Sequence, residues 1–166
     1  QGFTISGVKA ANYAVTFPGL TAPITPAPLT ISGVSGTNKV YDTTRADTLT
    51  GTPVLNGLLS ADAANITLVT SGVTANFASA NVGNNLPLTV GGYTLTGTGS
   101  TNYAITQPTG LTANITAKPI TITGLVASNL VYNGGTSTTL TGTPILSNGA
   151  ANATDNKYYS ADTVTL

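Results

Sequence analysis

The sequence contains no cysteine, histidine, glutamate, methionine or tryptophan among its 166 residues. Without cysteine, no disulfide can stabilise the fold. Hydrolytic chemistry usually requires an acid–base pair or a nucleophile beside a base, and here it would depend on five aspartates and a few lysines. The missing His and Cys side chains are also the usual ligands of transition metals. We therefore predict no catalytic residues, and we predict that the protein is not an enzyme.

Charged residues are scarce as well, at 6% of the chain with a formal net charge of zero. Binding to nucleic acid requires clustered Lys and Arg, whereas the five cations here are scattered, so we predict no nucleic-acid partner. No apolar run approaches the roughly 20 residues that span a bilayer, so we predict no membrane insertion. A near-neutral surface rich in Thr, Asn and Ser has little charge to keep copies apart. It fits a secreted protein that packs against its own copies or against polysaccharide.

The chain repeats itself at intervals of 90 to 91 residues. Ala27-Pro28-Leu29-Thr30-Ile31-Ser32-Gly33 returns as Lys118-Pro119-Ile120-Thr121-Ile122-Thr123-Gly124, and Leu49-Thr50-Gly51-Thr52-Pro53 returns as Leu140-Thr141-Gly142-Thr143-Pro144. Gly2-Phe3-Thr4-Ile5 likewise matches Gly92-Tyr93-Thr94-Leu95, and Asn12-Tyr13-Ala14 matches Asn102-Tyr103-Ala104. A fixed period carried by separated motifs indicates an array of like domains.

The repeat divides the chain into three parts. Residues 1–26 correspond to the C-terminal part of a preceding repeat, residues 27–117 to a complete repeat, and residues 118–166 to the N-terminal part of a following one. We call these the N-terminal segment, the central unit and the C-terminal segment. We expect them to belong to a longer polypeptide. Each partial repeat lacks a strand-like stretch, so its open sheet edge could be filled by another copy of the chain.

Short alternating runs recur between turn signals, which predicts an all-β fold. Leu29 and Ile31 would face one side of a strand, as would Ala75 and Phe77. Further strands are predicted at 39–42, 48–52, 66–70, 86–90 and 103–106, and only residues 60–65 could form a turn or two of helix. We predict tandem β-sandwich units of about 90 residues, with Ig-like and β-grasp-like topologies both open.

Six motifs of the central unit, in this order, resemble the YDG/MBG-type repeats of bacterial surface adhesins, including filamentous-haemagglutinin-like exoproteins. They are Pro28-Leu29-Thr30-Ile31-Ser32-Gly33, Asn38-Lys39-Val40-Tyr41-Asp42-Thr43-Thr44, Leu49-Thr50-Gly51, Asn81-Val82-Gly83, Gly92-Tyr93-Thr94-Leu95, and Asn102-Tyr103-Ala104-Ile105 leading to Gly110-Leu111-Thr112-Ala113-Asn114-Ile115. The resemblance implies an extracellular, all-β module of a stalk, adhesin or matrix fibre at the bacterial cell surface. The eponymous Tyr-Asp-Gly reads Tyr41-Asp42-Thr43 here and Tyr132-Asn133-Gly134 in the C-terminal segment. A left-handed turn at this point would therefore have to form without glycine in the central unit.

The candidate contact site is an insertion of several residues, at 148–159, whose Tyr158-Tyr159 has no counterpart in the central unit. Variable function commonly lies on such loops of a constant scaffold. The residues that we single out in it are Asn148, Asn152, Asp155, Tyr158 and Tyr159. Five tyrosines recur at repeat positions and are expected to serve in core or edge packing instead: Tyr13, Tyr41, Tyr93, Tyr103 and Tyr132.

We predict no cofactor. Calcium is the metal that the available oxygen ligands would suit best, from Asp62 with Asn65 or from Asp155 with Asp162, yet no calcium-loop motif is present and turn residues capping their own backbone explain these side chains. An isopeptide bond from Lys39 to an asparagine, assisted by Asp42 or Asp62, is a further alternative.

Two functions follow from these patterns. The first is a structural segment of an extracellular bacterial fibre or stalk that associates with other copies of itself, as in a filament or biofilm matrix. The second is an adhesin module that binds a host receptor or glycan through residues 148–159, where an array of weak sites would gain avidity.

Overall fold

Ten strands make up the central unit in the computed structural model, which describes residues 3–166. They are β1 (Ala27–Gly36), β2 (Lys39–Val40), β3 (Ala46–Asp47), β4 (Leu49–Asn56), β5 (Ile66–Val69), β6 (Thr74–Phe77), β7 (Gly83–Gly91), β8 (Thr94–Gly97), β9 (Tyr103–Thr106) and β10 (Thr112–Thr116). Two more strands, β11 (Ile122–Ala127) and β12 (Leu140–Leu146), form a hairpin in the C-terminal segment. The helical residues in the described part of the chain are two single-turn 3-10 helices, Ala10–Asn12 and Ser100–Asn102. The all-β prediction is therefore confirmed.

The strands of the central unit form two main sheets and one two-stranded pair. One sheet has the order β4-β1-β9, the other has the order β2-β10-β7-β6-β3, and β5 pairs with β8. Most neighbours are antiparallel, but β1 runs parallel to β9 and β10 runs parallel to β2. Residues 60–65 form consecutive turns rather than a helix. The observed architecture is β-sandwich-like.

Apolar side chains between the sheets form three buried clusters, and period-two alternation explains which residues join them. The first contains Ile31, Ala75, Val90 and Tyr93, the second Phe77, Leu88, Ala113 and Ile115, and the third Leu29, Ile66 and Tyr103. Leu29 and Phe77 are fully buried. Leu29 with Ile31 and Ala75 with Phe77 therefore face the interior, as the sequence pattern predicts. Of the five recurring tyrosines, Tyr93 and Tyr103 lie in the core and Tyr41 is half-buried. The core prediction is wrong for Tyr13 and Tyr132, which are 73% and 92% exposed.

Two glycines allow a bulge in the antiparallel pairing of β1 with β4. The register shifts between Ser32 and Val34, where Gly33 has φ 81° and Val34 pairs with Gly51, whose φ is 93°. A Cβ on Gly51 would collide with the carbonyl oxygen of Gly33, so the two backbones can approach this closely only without side chains. The β11–β12 hairpin reproduces the bulge with Gly124 and Gly142. The repeat thus preserves a backbone geometry and not only a pattern of apolar residues.

The flanking segments expose residues whose counterparts in the central unit are buried. Tyr13 is 73% exposed and Ile24 fully exposed, whereas Tyr103 and Ile115 are 8% and 1% exposed. Residues 3–26 contain no strand, and every residue of β11 is exposed. Among residues 3–166, no helix has the length and hydrophobicity to cross a membrane.

Candidate functional site at the junction between repeat units

The C-terminal segment packs back onto the central unit through Tyr41, which follows β2. The Tyr41 hydroxyl donates a hydrogen bond of 3.1 Å to Asp162 Oδ1. The rings of Tyr41 and Tyr159 meet edge to face, with centroids 5.9 Å apart and an interplanar angle of 75°, an arrangement that favours aromatic pairs. These contacts join two successive repeat units directly.

A buried lysine marks the start of the C-terminal segment. Only 4% of the Lys118 side chain is exposed, and its Nζ lies 2.8 Å from Asp155 Oδ1. It also donates to the carbonyl oxygen of Asn152 at 2.7 Å and lies 5.4 Å from the ring centroid of Tyr159. A buried ammonium is tolerated only when it is paired and hydrogen-bonded. The counterpart of Lys118 in the central unit is Ala27. The lysine is therefore found in the same repeat unit as the insertion that binds it, and the central unit lacks both.

Asp155 organises the insertion around that lysine. Its carboxylate accepts hydrogen bonds from Lys118 and from the backbone amides of Ala151 at 2.6 Å, Lys157 at 3.2 Å and Asn152 at 3.4 Å. The hydrogen bond from Lys118, helped by the three amides, outweighs desolvation and holds the pKa of Asp155 far below its usual range. The carboxylate therefore stays ionised throughout the physiological pH range.

The insertion is tied to the hairpin beside it as well. Tyr158 donates its amide to Ser147, Ala150 donates to Tyr158, and Thr121 donates to the carbonyl oxygen of Asn156 at 3.0 Å. Of the five residues singled out by sequence, Asn148 and Asn152 are exposed, whereas Asp155, Tyr158 and Tyr159 are half-buried at the junction. The structure thus brings Asn152, Asp155 and Tyr159 together around Lys118.

A cleft of about 170 Å³ lies between the central unit and the insertion. Its walls include the side chains of Tyr41, Val82, Ile120, Tyr158, Tyr159, Asp162 and Val164. Burial, followed by the hydrogen bond to Asp162, raises the pKa of Tyr41. The cleft is therefore mainly apolar, and its lining includes one acidic side chain, Asp162, and one basic side chain, Lys118.

The Tyr41-Asp42-Thr43 motif forms a compact turn beneath the junction. Asp42 Oδ1 accepts hydrogen bonds from the amide and the hydroxyl of Thr44 and from Lys39 Nζ at 2.8 Å. Desolvation opposes ionisation of Asp42, but the hydrogen bonds from Lys39 and Thr44 outweigh it and lower the pKa. Thr43 has φ 68°. The turn is thus left-handed in the central unit even though the motif lacks its glycine.

The sequence was compared with known protein families, and residues 25–110 match the YDG domain family. The chain belongs to the YDG domain family. No match is found among curated proteins or among solved structures.

Asp62 and Lys39, which were considered for cation binding or for a covalent bond, are both hydrogen-bonded in this YDG domain, and the partners of Lys39 include Asp42, one of the two aspartates considered with it. Asp62 Oδ2 accepts a 2.6 Å hydrogen bond from the Tyr103 hydroxyl, which with burial raises the pKa of Tyr103. Lys39 Nζ donates to Asp42, to Thr44 and to the carbonyl oxygen of Ala46. Within residues 3–166, no group of three or more His, Cys, Asp or Glu side chains is placed to hold a metal ion.

Sequence reasoning missed Lys118, Asp162 and Tyr41 as partners of the insertion. Lys118 stands where the central unit has Ala27, and it lies in the same segment as the insertion at 148–159. Two departures from a repeat in one unit are a signal that the residues interact. The contact of Tyr41 with Asp162 had no such signal, because each side chain also fits its own repeat position.

Proposed function

We propose that this YDG-domain chain is a structural segment of an extracellular fibre or stalk at the bacterial cell surface, and that it associates with other copies into a filament. In this role the protein works mechanically, without catalysis and without a cofactor. The tandem repeats and the near-neutral, Thr-rich surface support the proposal. Its partners are then copies of itself and neutral polysaccharide.

The junction is the observation that carries the proposal. The central unit and the following segment are joined by the Tyr41–Asp162 hydrogen bond, and the insertion closes over Lys118 at the connection. Contacts of this kind fix the spacing and orientation of neighbouring domains. A spacer that transmits force along a fibre needs fixed spacing, whereas a chain of independent binding modules does not.

Electron microscopy of the native material and of the 166-residue chain tests this proposal. We expect regular filaments whose axial repeat corresponds to one or two YDG units. Dispersed particles at every concentration, in both samples, would contradict the filament. The matched variant replaces residues 148–159 with the three residues that occupy this place in the central unit, Gly57-Leu58-Leu59, and replaces Lys118 with alanine, as at Ala27, so that no buried lysine loses its partners.

Adhesion is a second candidate function, favoured by the three tyrosines that line the junction cleft. Tyrosine rings present both an apolar face and a hydroxyl, which suits a sugar ring of a host glycan. The same replacement of residues 148–159 separates the two functions. Loss of cell or glycan binding with intact filaments would support adhesion, and loss of assembly would support the structural role.

A further inference from the structure

Two lysines, one on each side of the junction, are held in a similar way. In the central unit, Lys39 Nζ donates to Asp42 Oδ1 and to the carbonyl oxygens of Thr44 and Ala46, each at 2.8 Å. It also lies 5.6 Å from the ring centroid of Phe77. An ammonium group has three protons, so each of them has an acceptor here. We call this arrangement the first clamp.

The second clamp is formed by Lys118 in the C-terminal segment. Its ammonium group also has an aspartate oxygen, a backbone carbonyl oxygen and an aromatic ring as partners, from Asp155, Asn152 and Tyr159. Both lysines are shielded from solvent, since 15% of the Lys39 side chain and 4% of the Lys118 side chain are exposed. Salt screens shielded ion pairs much less than exposed ones. Each clamp therefore fixes the loop that it binds.

Each clamp adjoins an aromatic side chain of the junction. Tyr41 directly precedes Asp42, the anionic member of the first clamp, and Tyr159 lies against the ammonium group of the second. The rings of the two tyrosines meet edge to face, and the Tyr41 hydroxyl bonds to Asp162. The contact between the two units is thus made by side chains that stand beside a lysine of their own unit.

The turn that carries Tyr41 depends on the first clamp at its middle. Its two ends are bonded to neighbouring strands through backbone groups of Tyr41 and Arg45. Asp42 and Thr44, between these ends, bond to each other and to Lys39. Loss of the ammonium group would leave the strands paired and would free the middle of the turn.

The repeat shows that each clamp belongs to one unit. At the positions of Lys39 and Asp42 the C-terminal segment has Leu130 and Asn133, so the lysine and its aspartate are replaced together. The central unit, conversely, has no lysine at the position of Lys118. Each unit therefore carries its clamp beside the loop with which it contacts its neighbour.

We propose that the two clamps together set the rigidity of the junction, and that loss of either ammonium charge makes the spacing of the two units flexible. Lys39 then acts as a positioning residue, because its partners lie in the central unit while its effect appears at the contact of Tyr41 with the next unit. The inference rests on the proposed structural role and adds to it the side chains that control stiffness.

Distances between two spin labels test the proposal, since the chain has no cysteine of its own. Thr89→Cys on β7 and Thr143→Cys on β12 place one label on an exposed residue of each unit. We expect one narrow distance distribution in the labelled chain. Lys39→Met and Lys118→Met keep an unbranched apolar stem without its charge, and each should widen the distribution at least about twofold, as for a flexible connection.

Two further variants make the result specific. Lys157→Met is the matched control, because it removes a lysine charge from the insertion at an exposed side chain, and it should leave the width unchanged. Asp42→Asn removes the anion of the first clamp but keeps the turn, since Asn133 accepts the same hydrogen bond in the C-terminal segment. It should widen the distribution even if Lys39→Met fails to fold, which circular dichroism reveals.

Three results would overturn the inference: a broad distribution in the labelled chain itself, equal widening in Lys157→Met, and widening in Lys118→Met alone. Unchanged widths in a chain that forms regular filaments would refute the clamps and leave the fibre proposal standing. Wider distributions in variants whose filaments stay regular would retain the clamps and contradict the argument that the fibre needs fixed spacing.

Discussion

Replacing Thr43 with glycine is expected to stabilise the central unit. Thr43 has φ 68°, and its counterpart Gly134 has φ 79°. In both turns a backbone amide donates to the side-chain oxygen two residues before it: Thr44 donates to Asp42 Oδ1, and Gly135 donates to Asn133 Oδ1. The turn has the same left-handed backbone in both units. In the central unit it is adopted by a β-branched threonine, for which this conformation is strained.

The expected gain is about 1 kcal/mol. A left-handed conformation costs an L-residue roughly 1–2 kcal/mol, and glycine relieves this strain. Glycine also has more freedom in the unfolded chain, which takes back roughly 0.5–1 kcal/mol. The Thr43 side chain is exposed, so little packing is lost with it. A gain of this size raises the melting temperature of a domain of 60–100 residues by about 4–8 °C.

Urea unfolding followed by circular dichroism measures the effect as a higher midpoint with an unchanged dependence on urea. Asn85→Gly is the control, because Asn85 has φ 50° but asparagine tolerates this region, so its gain should stay below about 0.5 kcal/mol. If Thr43→Gly were neutral, or if Asn85→Gly gained as much, strain at Thr43 would not be the cause.

Three further changes test the bulge, the core and the junction. Gly51→Ala should destabilise the domain by more than about 2 kcal/mol in urea unfolding, because it adds backbone strain and a collision, whereas Gly91→Ala, with open space around its Cβ, should not. Gln107→Ala should lower the unfolding free energy by about 1–3 kcal/mol, since its amide group bonds both backbone groups of Tyr93, at 3.0 and 2.9 Å; an unchanged value would refute a structural role. The folded pKa of Asp155 lies below its unfolded value of 3.8, so its stabilisation is present above that pH and is lost as pH falls further. The difference in urea midpoint between wild type and Asp155→Asn should accordingly narrow from pH 7 to pH 3, and a constant difference would contradict this.

Local features could be predicted from the sequence because they depend on near neighbours. The alternation around Leu29 and Phe77 gave the buried faces correctly. The single-turn 3-10 helices before Tyr13 and Tyr103 were not predicted, although each is closed by an amide that bonds three residues back. Short-range hydrogen bonds therefore suffice for these elements.

Pairing between distant strands could not be predicted in this way. The parallel neighbours β1 and β9 are separated by most of the domain, and period-two alternation says which face a strand buries but not which strand lies beside it. The insertion could be recognised from its missing counterpart. Its contact with Tyr41 could not, because that contact depends on how two units are oriented.

The hydrogen bond between Tyr41 and Asp162 has a consequence for how an array of such units would fail under load. A contact across a junction makes the unfolding of one unit depend on whether its neighbour is folded, as in a one-dimensional chain of coupled elements. An interior unit, held on both sides, then has a higher unfolding threshold than a terminal unit, held on one. Rupture would begin at the ends and advance inward one unit at a time, and the midpoint of unfolding would rise with the number of repeats.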